Sequence, residues 1–105
     1  LQLHGQYPSA SASSPTIAGM EAAGEVVDTG DAVSGFSQGD RVAGLCAGGY
    51  AQYVCMDHRL AIPVPKSLEW PAAGAMALGY MTEYAALKQN AGIAPEMSVM
   101  ITAVS

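Results

Sequence analysis

The sequence predicts a mainly β domain with a helix, followed by one strand of the kind buried in a parallel sheet. Three observations carry this. Short segments rich in strand formers, separated by Gly, Pro and Asp turns, recur from Ile17 to Val64. Good helix formers run from Ala72 to Asn90. Ser98–Ala103 is nearly all apolar, as in strands covered on both faces.

Leu1–Pro8 reads as the tail of a helix or turn, with Gly5 as its C-terminal cap. Ser9–Pro15 is small and polar, a surface loop, and Pro15 biases Ser14 towards an extended entry into a strand. Ala22, Ala23 and Gly24 permit close approach of another element, and Glu25–Asp28 has the better strand residues. Thr29–Gln38 is dense in turn residues, with Val33 and Phe36 as inward anchors. Gly39-Asp40 turns into a strand from Arg41 to Cys46.

Gly48-Gly49 reads as the tip of a tight hairpin, with Tyr50–Met56 returning. In that register Cys46 faces Ala51 and Cys55 faces Val42, about 13 Å apart along the strand, so no disulfide forms. Tyr50 and Tyr53 fall on opposite strand faces as packing residues, and the two cysteines read as inert, half-buried thiols. Asp57-His58-Arg59 makes a polar turn into a short edge strand at Leu60–Val64, whose Pro63 and the following Pro65 lack backbone donors.

Ser67 is the expected helix N-cap, with Pro71 in the first turn. Gly74 and Gly79 weaken the helix and are places to split it. Tyr80, Tyr84 and Leu87 share one face; Leu78, Met81 and Ala85 form a second stripe. Gly92 stops the helix, and Pro95-Glu96 turns into the final apolar run.

Composition narrows the function classes. Half of the 105 residues are hydrophobic and 12% are charged, enough to build a core and too apolar for disorder. The net charge is −5, and the four basic residues are scattered from Arg41 to Lys88, so nucleic acid is not an expected partner. The longest apolar candidate for a span, Ala72–Met81, is short of the roughly 18 residues that cross a bilayer. The N-terminus shows no signal-peptide pattern, and two cysteines make no disulfide scaffold, so a reduced, cytoplasmic setting is expected. The opening Leu1 fits a fragment or a processed chain, and a terminal strand with no sheet to join is a second sign of a piece of a longer protein.

The ordered segments GQYP, SPTIAGMEAAGEVV, FSQGDRV, GGYAQYV and IPVPKSL resemble the N-terminal GroES-like domain of medium-chain dehydrogenases/reductases. AMALGYMTEYAAL and PEMSVMITAVS resemble that family's linking helix and first Rossmann strand. Each motif is weak alone; their order across nearly the whole chain is specific. The resemblance implies residues 1–70 as a partial GroES-like catalytic domain, with a partial β-barrel, and 71–105 as the linking helix and the start of a Rossmann domain.

Within the family, the zinc-free quinone oxidoreductases are most similar. Zinc alcohol dehydrogenases carry Gly-His-Glu where this chain has Gly19-Met20-Glu21, and a Met thioether is a poor substitute for the His ligand. The four-cysteine structural lobe has no room between Asp40 and Tyr50, and His4 and His58 have no partners at metal-ligand spacing, so no metal site is expected.

The resemblance therefore implies NADPH-dependent hydride transfer to a quinone or activated alkene. It places Tyr7, of the GQY motif, in the cleft as a catalytic and cofactor-positioning residue, and Thr82 as a cofactor contact. Against these stand plainer readings: Tyr7 as a surface-loop aromatic, and Thr82 as a helix hydroxyl bonded to its own backbone. Glu21 and Arg41 are expected to form a partly buried ion pair holding two strands together. The competing functions are an enoyl reductase module of a polyketide or fatty-acid synthase and a non-catalytic, crystallin-like structural protein. A homodimer, formed through the Rossmann domain, is expected of the whole enzyme.

Overall fold

The computed structural model describes residues 17–102. Tyr7, His4, the GQY motif, the Ser9–Pro15 loop and the Ala103-Val104-Ser105 segment lie outside the described residues. Three antiparallel strands form one sheet in the order β1 (Glu21–Glu25), β2 (Arg41–Cys46) and β3 (Met56–Pro63). Two helices follow, α1 (Trp70–Gly74) and α2 (Ala77–Tyr84), and α2 continues into a π-helical stretch, Ala85–Asn90. This is the mainly β arrangement with a helix that the sequence predicts. None of these helices is long and apolar enough to cross a membrane.

Alternation along the strands assigns the faces. Ala23 pairs with Ala43, and Ala43 with Ile62, making one cross-strand row under the helices. Ala43, Val64, Ala73 and Ala77 form the buried cluster there, flanked by Leu68. The small side chains explain why α1 and the start of α2 lie directly on the sheet. Among the described residues no large side chain is fully buried. Leu78, Met81 and Ala85, the second predicted stripe, are partly covered, while Tyr80 and Tyr84 are exposed.

Several local expectations are corrected. The first strand is Glu21–Glu25, centred on the small residues Ala22, Ala23 and Gly24, not Glu25–Asp28. Val26 only extends the ladder by backbone bonds with Asp40 and Gly39. Gly48-Gly49 does not turn directly into a returning strand. Instead the amides of Gly48 and Gly49 donate to the Gly19 carbonyl, and the Tyr50 amide donates to Ala18. Residues 50–53 form bends, and the third strand starts at Met56, opposite Cys46. The backbone bonds to the 18–20 segment outweigh the strand propensity of Tyr50, Tyr53 and Val54.

The expected polar turn at Asp57-His58-Arg59 is a bulge inside β3. Between the pairs Gly44–Ala61 and Cys46–Met56 the register slips, leaving Asp57–Leu60 against Leu45 alone. Asp57 accepts from the Arg59 amide and guanidinium, which stabilises the bulge from its exposed side. Those bonds, side chain first, hold the Asp57 carboxyl well below the usual carboxylate range. β3 flanks the sheet, as its Pro63 requires.

Ser67 is not the helix cap; Leu68 closes a turn onto Pro65, and Glu69 precedes α1 without a side-chain cap bond. The helix does break after Gly74, and Gly92, at φ +62°, follows its end. Gly79 stays inside α2. Ser98–Thr102 forms no strand; Val99, Met100 and Ile101 are exposed. A parallel strand needs neighbours in its own sheet, and none of the described strands pairs with it.

Candidate functional site

The cleft of interest lies where the turn before β1 meets the junction of α1 and α2. Gly19, Met20, Glu21 and Tyr50 line one wall; Pro71, Gly74, Ala75 and Leu78 line the other, around a volume of ≈ 430 Å³. Gly19 holds φ +105°, and a Cβ there would stand 2.8 Å from the Gly49 nitrogen. Only glycine permits that close crossing of two backbones. The crossing presents Met20 and Glu21 to the helices.

Glu21 Oε2 accepts a 2.7 Å hydrogen bond from the Leu78 amide in the first turn of α2. That amide has no partner within the helix, and a carboxylate suits a helix N-terminus. The Leu78 carbonyl accepts from Thr82 Oγ1, also at 2.7 Å. Thr82 is thus a helix hydroxyl bonded to its own backbone, on an exposed surface. Its oxygen keeps acceptor capacity for another donor.

Arg41 is tied elsewhere. Its Nη2 donates to the Leu68 carbonyl at 2.5 Å, and its guanidinium lies 3.7 Å from the Trp70 ring centroid. The expected Glu21–Arg41 ion pair does not form. The antiparallel register sets Arg41 opposite Glu25 and Glu21 opposite Leu45, at the two ends of the ladder. Each residue holds a different end of the segment from Leu68 to Leu78. The ion pair that does form among the described residues is Asp57–Arg59.

Cys46 is half-buried, and burial followed by the nearby Glu21 charge pushes its thiol up. Cys55 is exposed rather than half-buried. It precedes Met56, the residue opposite Cys46, so the separation expected from the hairpin register does not hold; both thiols are free. Tyr50 and Tyr53 are exposed, not packed. His58 sits in the bulge of β3. Among the described residues no three His, Cys, Asp or Glu side chains are grouped to hold a metal ion.

A larger groove of ≈ 700 Å³ lies on the other face of the sheet, where Ala22, Val26, Phe36, Val42 and Ala61 line it. Its walls are mostly apolar strand and loop residues. The smaller cleft is the better candidate because it joins a carboxylate, a helix start and a thioether at one crossing. Glu21, Leu78 and Tyr50 are the site residues that sequence reasoning did not place there. The signal for Glu21 was present in its motif; its partner was hidden by the distance along the chain.

The profile of the alcohol dehydrogenase GroES-like domain matches residues 1–66. The chain belongs to that family. It is 38% identical over 93 residues to a quinone oxidoreductase-like protein 2 homolog of Nematostella vectensis, covering 87% of this chain and 26% of the relative. It is 35% identical over 101 residues to the polyketide synthase GfsB of Streptomyces halstedii, covering 96% of this chain and 2% of that protein. Erythronolide synthase EryA2 of Saccharopolyspora erythraea is 40% identical over 87 residues, 83% of this chain and 2% of the synthase. The chain thus spans about a quarter or less of these curated relatives. No solved structure matches the chain.

Proposed function

We propose that this chain is part of a zinc-free, NADPH-dependent oxidoreductase that reduces a quinone or an activated alkene. The observation that carries the reading is the Gly19-Met20-Glu21 crossing set against α2 in a chain of the GroES-like family. Met20 stands where the zinc enzymes have a ligating His, and its thioether suits an apolar substrate wall. The cofactor, when bound, supplies a hydride, and a proton completes reduction of the acceptor.

The chain's own residues bind and orient. Thr82, its proton committed to Leu78, offers an oxygen acceptor suited to an amide N–H donor such as the nicotinamide carboxamide. The family resemblance assigns Tyr7 the placing of substrate or nicotinamide, through an apolar body and a polar tip. Residues 1–70 belong to the catalytic domain and 71–105 to the linking helix and the start of the dinucleotide-binding domain. The whole enzyme is a cytoplasmic homodimer.

A second reading, an enoyl reductase module, is favoured by the polyketide synthases that match 83–96% of this chain. The test is NADPH oxidation by the native-length protein, followed by absorbance, with an ortho-quinone and with an enoyl thioester in parallel. Turnover of the quinone supports the first reading. Turnover of the thioester alone supports the second.

A further inference from the structure

Glu21 and Thr82 meet on a single residue, Leu78. The Leu78 amide donates to Glu21, and the Leu78 carbonyl accepts from Thr82, each bond 2.7 Å long. The Met76 cap of α2 makes no side-chain bond, and the first turn of α2 carries no acidic residue. Glu21, from a strand far away in sequence, closes that end instead. Between sheet and helix the buried contact is made by Ala43, Val64, Ala73 and Ala77, with Ala23, Ile62 and Leu68 packed against them. The helices bring only Ala73 and Ala77 to it, and alanine side chains interdigitate little, so they hold the helix close without fixing how far it slides over the sheet. The polar tie at Leu78 fixes that. The back-bond to the same residue then restricts the χ1 of Thr82.

We propose that Glu21 is a positioning residue: through the backbone of Leu78 it sets where Thr82 meets the nicotinamide cofactor. The inference rests on the reading of Thr82 as a cofactor contact. It assigns Glu21 no contact with substrate or cofactor. A carboxylate is not required for the role, only an acceptor of the right reach, so an amide at this position serves nearly as well.

The test uses the native-length protein and NADPH fluorescence quenching, with folded fraction checked by circular dichroism. Glu21→Ala is expected to weaken NADPH binding about threefold to tenfold, in line with the loss of a helix cap. Glu21→Gln is expected to stay within about twofold of wild type, because its amide oxygen accepts the same bond. The double variant Glu21→Ala/Thr82→Ala is expected to bind no more weakly than Thr82→Ala alone, since both changes remove one coupled effect. Should Glu21→Ala not fold, Glu21→Met keeps the volume without the acceptor and takes its place. Unchanged affinity in Glu21→Ala, or losses that multiply in the double variant, overturns the inference while wild-type binding leaves the proposed function standing. A wild type that does not bind NADPH overturns both.

Discussion

The carboxylate of Glu21 caps α2 through the Leu78 amide, joining the start of the first strand to a helix 57 positions further along the chain. Arg41, on the same sheet face, holds Leu68 and Trp70 at the other end of that segment. The two charged residues do not pair; they clamp the helical segment from its two ends.

If each clamp acts separately, their removal is additive. Glu21→Ala is expected to lower unfolding stability by about 1 kcal/mol, as for a lost cap. Arg41→Ala is expected to lower it by about 1–2 kcal/mol through the lost backbone bond and ring contact. Urea unfolding of the native-length protein should give a coupling energy within about 0.5 kcal/mol of zero for the double variant. A coupling well above that value speaks for the ion pair instead.

Gly44 marks the tightest point of the β3 bulge. A Cβ there would collide with the Leu60 carbonyl and stand 2.6 Å from Met56 Sδ. The thioether can move, but the carbonyl belongs to the bulge backbone. Gly44→Ala is expected to destabilise by about 1–3 kcal/mol, the range for overpacking. A thermal melt that matches wild type contradicts the bulge geometry.

The two thiols should behave differently. Thiol labelling at pH 8 is expected to modify exposed Cys55 quickly and Cys46 slowly. The Cys46 rate should keep rising above pH 9, because burial and Glu21 favour its neutral form. The sign for stability follows. The folded chain holds this proton more tightly than the unfolded chain. The contribution is present below the unfolded thiol value, about pH 8.5, and is lost as pH rises through the raised folded value. Equal labelling of both cysteines at pH 8 contradicts the assignment.

The core predicts weak autonomy for the 105-residue chain. Among the described residues the buried ones are Ala18, Ala43, Val64, Ala73 and Ala77, which remove little apolar surface from water. The described residues leave a groove on one face of the sheet. The isolated chain is expected to unfold over a broad range and to associate at its strand edges. Sedimentation showing a monomer, together with a sharp two-state melt, contradicts this.

Local chemistry was legible in the sequence where it decides the structure by itself. Gly39-Asp40 leads into β2, with Asp40 accepting from the Ser37 amide, and Gly74 ends α1. The third strand was misplaced because Tyr50, Tyr53 and Val54 carry strand propensity, while the true strand includes a charged bulge. Propensity is outweighed there by backbone pairing of residues 48–50 with 18–19. The π-helical stretch at Ala85–Asn90 has no signal in the residue types. For the site, the Gly19-Met20-Glu21 motif was visible, but the partners of Glu21 and Arg41 depend on register and helix docking. Those are set by contacts between segments far apart in sequence.

The proposed nicotinamide-dependent reductase must bind its cofactor before it can reduce anything. The most direct measurement is NADPH fluorescence quenching in the native-length protein, followed by addition of a simple ortho-quinone. The expected result is saturable quenching, then oxidation of the bound NADPH when the quinone is added. A protein that is folded yet shows no quenching at any NADPH concentration contradicts the claim.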